Sequence, residues 1–142
     1  MSNLRGFFKS EKAVKKNAQY AVSKEFKDEK GKPLKWVIKP ITTKENNALR
    51  EECTVEIPIT GRRGQYRQKF NYDKYLIKLL CESVVEPNLN AKELQDDYGV
   101  MCAEDLIVEM VDNVSEFNDF VTFVNDFNDF IDINDKVEEA KN

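Results

Sequence analysis

From Asn71 onward the apolar pattern of this chain takes a helical period, and that change limits the folds open to it. Before Asn71 the apolar residues alternate or come in short runs bounded by turn residues. After it they recur at three and four, the spacing of one helix face. Strands first and helices later argue for an α+β fold rather than a parallel sheet threaded by helices. A length of 142 residues suits one domain, and no linker divides the chain.

The strand-like part reads as two antiparallel β-hairpins. In the first, Ala18 to Phe26 and Leu34 to Pro40 flank the polar stretch 28–33, which holds Gly31 and Pro33. Tyr20, Val22 and Phe26 fall on one face, and Pro40 should end the second strand because it has no N–H to give. Thr42-Thr43-Lys44-Glu45 is a helix start, with a hydroxyl cap and a carboxylate in the first turn, and that helix should run to about Glu52. The second hairpin takes Cys53 to Thr60 and Gln65 to Phe70 around Gly61-Arg62-Arg63-Gly64, with Pro58 marking an edge strand.

The helical part forms a C-terminal bundle. Asn71 caps a helix carrying Tyr72, Tyr75, Leu76, Leu79, Leu80 and Val84, which Pro87-Asn88 breaks. Asn90 caps a short helix over Ala91 to Tyr98, closed by Gly99. Another covers about Cys102 to Asp112. Ser115 and Glu116 open the last, which should reach Ile131. The expected organisation is a basic arm or short helix at 1–17, one domain over 18–131, and an acidic tail over 132–142.

The last helix holds the one internal repeat, 116–125 followed by 126–135, each with a Phe-Asn-Asp-Phe core. At about 100° per residue, Phe117, Phe120, Val121, Val124, Phe127 and Ile131 lie within about 120° of arc, with Phe123 and Phe130 on the flank. The apolar face then spans roughly 180°, more than the roughly 100° that packing on one domain requires. Phe117, Phe120, Phe123, Phe127 and Phe130 are therefore candidate partner-binding residues, with a deep core position as the competing assignment.

Composition excludes several chemistries. The chain has no histidine, so Ser-His and Cys-His nucleophile pairs and imidazole metal ligands are absent. Cys53, Cys81 and Cys102 form no CxxC and are odd in number, which fits buried thiols in a reducing compartment. No D-x-[DN]-x-[DN]-G calcium loop and no phosphate-cradling glycine motif occurs. Glu104, Asp105 and Glu109 could do acid–base work only in a dry pocket, to which nothing nearby points. No catalytic, cofactor or metal residues are assigned. The N-terminus reads neither as a signal peptide nor as a myristoylation site, and no apolar run reaches membrane-spanning length.

Charge is uneven. The net charge is −4, yet residues 100–142 hold twelve acidic against two basic residues. Arg62, Arg63, Arg67 and Lys69 make the second hairpin basic, and Tyr66 lies among them. That permits an alternative function as a small nucleic-acid-binding module.

The ordered set Val22–Pro33, Trp36–Ile41, Leu76–Leu80, Ser83–Leu89, Glu93–Gln95 with Tyr98–Val100, and Val137–Asn142 resembles the XkdN-like family of phage tail assembly chaperones. The resemblance spans roughly residues 7–142, and the Pro-Asn-Leu and Tyr-Gly pieces are its sharpest parts. It departs at Glu116-Phe117, where the family pattern has Glu-Tyr. The resemblance implies a non-enzymatic prophage or phage protein of the bacterial host cytoplasm. Such a protein holds the long, partly apolar tape measure protein soluble until the tail tube polymerises around it. It further implies a part in recruiting tail tube protein, often through a frameshifted extension, and absence from the mature virion. A minor structural tail protein is the other alternative.

Overall fold

A computed structural model describes residues 4–129. The chain is a single α+β domain with strands mostly in its first half and helices mostly in its second. Residues 4–11 form two short 3-10 turns with no buried side chain, and an extended stretch then leads into strand β1, Ala18–Tyr20. Strand β2, Trp36–Ile38, pairs antiparallel to it, with Ala18 opposite Ile38 and Tyr20 opposite Trp36. The first hairpin thus exists, but its strands are far shorter than the alternation predicts. Beyond Tyr20, Ser23 and Lys24 bond to Glu116 of the last helix instead of to β2, and only an isolated Lys27–Pro33 bridge continues the pairing.

Helix α1, Thr43–Glu52, starts where expected. Thr42 and Glu45 each bond the other's backbone N–H at 3.1 Å, a reciprocal capping box. Strands β3, Thr54–Pro58, and β4, Tyr66–Phe70, form a separate two-stranded ribbon, as the second hairpin requires. Asn71 then caps helix α2, Tyr72–Ser83, by accepting from the Lys74 N–H at 3.1 Å.

A third strand was not visible in the sequence. The α2 periodicity extends through Val84, yet the helix stops at Ser83 and Val84–Glu86 forms β5, which pairs with β2 to complete the sheet order β1-β2-β5. Two adjacent β-branched valines disfavour helix, and Pro87 pushes Glu86 toward extended backbone. The Ser83 carbonyl accepts from the Lys39 N–H at 2.8 Å, which carries the chain onto the sheet.

Two caps differ from expectation. Helix α3, Lys92–Tyr98, has Ala91 at its start, while Asn90 instead donates its N–H to the Asn88 side chain at 3.0 Å. Its end is as read, since Gly99 takes the left-handed conformation (φ 69°) that a side chain would disfavour. Helix α4 is Ala103–Met110. Helix α5, Val114–Phe127, is capped by Asn113 rather than opened by Ser115, with the Asn113 side chain accepting from the Glu116 N–H at 3.1 Å. It ends at Phe127, and Asp129 turns left-handed (φ 58°), so the second Phe-Asn-Asp-Phe unit does not continue the helix through 129. Phe130, Ile131 and the acidic tail over 132–142 lie outside the described residues.

The core joins sheet to helices. Val22, Trp36 and Ile38 meet Tyr75, Leu79 and Leu80 of α2, Leu106, Ile107 and Met110 of α4, and Phe120 and Val124 of α5. Among the described residues no helix is long and apolar enough to cross a membrane.

Candidate functional site

Helix α5 carries the wide aromatic face, and the structure divides that face in two. Phe120 and Val124 are fully buried, so Phe120, one of the candidate partner residues, has no surface to offer while the domain is folded. Its ring stands edge-on to Trp36, with centroids 6.0 Å apart. Phe117, Phe123 and Phe127 remain half-buried at the rim. Phe123 is not bare. The Tyr20 ring lies on it at 4.1 Å and 4° from parallel, and Phe127 stacks on it at 5.9 Å. A column Tyr20–Phe123–Phe127 therefore runs along the α5 flank, while Phe117 makes no ring stack among the described residues. Phe130 lies outside them.

Nothing in the sequence links Tyr20 to this site, because it sits in the first strand and no local signal ties it to α5. Burial, with Asp119 and Glu116 beside it, raises its pKa and keeps the phenol protonated. Polar bonds fix α5 at both ends. Glu116 accepts from the Ser23 hydroxyl and from the Lys24 N–H, each at 2.8 Å. Buried Asn128 accepts from the Ile41 N–H at 2.7 Å and donates to the Val124 carbonyl at 2.8 Å. Exposed Asp119 lies beside Tyr20 and exposed Asp126 one turn beyond Phe123, giving the half-buried rings an acidic border.

The carboxylates weighed for acid–base work are placed differently. Glu104 bonds Lys78 at 3.2 Å, and Lys78 also reaches Glu52 at 3.4 Å, so these groups tie α1, α2 and α4 together. A backbone hydrogen bond at its own N–H and the Lys78 ammonium hold Glu104 below the usual carboxylate range, a charged and salt-bridged state. Asp105 and Glu109 are exposed. Burial pushes the Cys81 thiol up to about 12, far from a thiolate nucleophile. Among the described residues no group of three His, Cys, Asp or Glu side chains could hold a metal ion.

The basic hairpin stands apart from the sheet. Its base is held by the Asn71 N–H to Cys53 carbonyl bond at 2.8 Å and by the Arg50 guanidinium 4.8 Å over the Phe70 ring. Its register puts Val55 opposite Lys69, Ile57 opposite Arg67 and Pro58 opposite Tyr66. Residues alternate faces along a strand, so Arg67 and Lys69 share one face with Val55 and Ile57, and Tyr66 lies on the other. Arg62 and Arg63 sit exposed in the turn.

The model of the family described as phage XkdN-like tail assembly chaperone protein matches residues 4–141 of this chain. The chain belongs to that family. This XkdN-like chain is 26% identical over 122 residues to the phage-like element PBSX protein XkdN of Bacillus subtilis (strain 168), covering 85% of this chain and 81% of that protein. It is equally similar to protein YqbN of the same strain, at 26% over 122 residues, 85% of this chain and 80% of the relative. The crystal structure of YqbN superposes with a TM-score of 0.76 at 19% identity, covering 92% of this chain and 99% of that one. The fold is thus shared with a solved relative over most of the chain. The family places this chain in phage tail assembly as a chaperone, a role that suggests no catalysis.

Proposed function

We propose that this tail assembly chaperone binds the tape measure protein and keeps it soluble until the tail tube polymerises around it, without catalysis. The family match over residues 4–141 carries the reading. Two features of the chain support it. The α5 rim offers half-buried rings, Phe117, Phe123 and Phe127, for the apolar faces of a helical client. The acidic border beside them favours keeping the complex in solution. On this reading Phe130 is a further client-contacting residue, tail tube protein is a second partner, and the chain works in the host cytoplasm.

Co-expression with the tape measure protein of the same gene cluster tests this. The expected result on size exclusion is a soluble complex, with the client insoluble when expressed alone. An insoluble client beside a free 16.5 kDa chain would overturn it. Phe117→Ser, which disturbs no ring stack, should weaken the complex and, because Phe117 is only half-buried against the core, lower the melting midpoint less than Phe120→Ser does.

A further inference from the structure

We propose that the open face of the β3–β4 ribbon is a docking surface for an acidic, amphipathic segment of a protein partner. The ribbon is not required to cover the core. Its anchors to the core, Cys53 and Phe70, lie at its base; Ile57 is half-buried but is not packed against the core, and every residue of β4 before Phe70 is exposed. A two-stranded ribbon in water is marginal by itself, so this one depends on that base and projects its outer part freely. Val55 is 52% exposed, and Arg62, Arg63, Arg67 and Lys69 make no ion pair among the described residues.

The register specifies what fits. On one face the aliphatic pair Val55 and Ile57 lies directly across from the cations Lys69 and Arg67. The ribbon's acid, Glu56, points to the other face. A matching segment carries apolar side chains along one edge and carboxylates along the other, with the Arg62-Arg63 turn receiving further acids. A nucleic acid fits less well. Phosphate contacts from Arg67 and Lys69 and base stacking on Tyr66 would fall on opposite faces, and the chain carries a net charge of −4. This surface is separate from the α5 rim, so the inference does not depend on the tape measure reading.

Fluorescence anisotropy with the full chain tests it. The probes are a labelled Leu/Glu peptide of helical spacing, its Leu/Gln counterpart and a labelled single-stranded DNA. At low salt the Leu/Glu peptide should bind at least about tenfold more tightly than the Leu/Gln peptide. Arg67→Glu with Lys69→Glu should cost about tenfold or more in affinity with an unchanged circular dichroism spectrum. Lys30→Glu with Lys32→Glu, the same charge change off the ribbon, should leave affinity within about twofold. Equal losses in both double variants, no binding of the Leu/Glu peptide, or preference for the DNA would each overturn the proposal.

Discussion

Glu45 serves two structures at once. One carboxylate oxygen accepts from the Thr42 N–H in the α1 capping box, and the other meets the Lys39 ammonium at 2.5 Å, which also reaches Glu82 at 3.1 Å. The Lys39 bond, with help from Thr42, outweighs burial and pulls the Glu45 carboxyl from its ordinary 4.5 down to about 2. A depressed carboxylate stabilises the fold above its unfolded pKa and loses that contribution as pH falls through the folded one. The stability gap between the native chain and Glu45→Gln, read from urea midpoints, should be constant above about pH 5 and close as pH falls toward 2. A gap that does not change with pH would contradict the ion pair. The cap itself was legible, because Thr42 and Glu45 are three residues apart. The Lys39 and Glu82 partners were not, since they come from the end of β2 and from α2.

Among elements, local chemistry was readable and its tertiary destination was not. The capped starts of α1 and α2, the ribbon turn and the Gly99 stop follow from adjacent residues. β5 was missed because three residues, Val84 to Glu86, sit at the end of a strong helical pattern and become a strand only by pairing with β2. The apolar stripe of α5 was visible, but periodicity assigned Phe120 and Phe123 to neighbouring positions without showing that one lies under the sheet and the other against Tyr20. Their costs should separate accordingly. Phe120→Ala should cost about 3–5 kcal/mol, as expected for a fully buried aromatic. Phe123→Ala should cost less, with about 0.5–1.5 kcal/mol of it from the lost ring stack. Chemical denaturation of both variants decides this, and a larger loss at Phe123 would refute the division of the face.

At the scale of the molecule, α5 holds the two halves together. Trp36 of the sheet packs on Phe120, Ser23 and Lys24 bond Glu116, and Ile41 bonds Asn128. The domain should therefore unfold as one unit, with Trp36 fluorescence and far-ultraviolet circular dichroism following the same transition. Asn128→Ala leaves the Ile41 N–H without its buried partner and should shift both probes together by about 1–3 kcal/mol. Separate transitions would mean that the sheet and the helices are independent. None of these long-range ties has a signature in the sequence, although each partner is an ordinary polar or aromatic residue. They also order events during synthesis. The residues of β1 and β2 leave the ribosome early, but the face that Tyr20 and Trp36 present to Phe120 and Phe123 lacks that cover until α5 has been made. The nascent chain therefore carries an exposed aromatic surface from the emergence of Trp36 until α5 has been made.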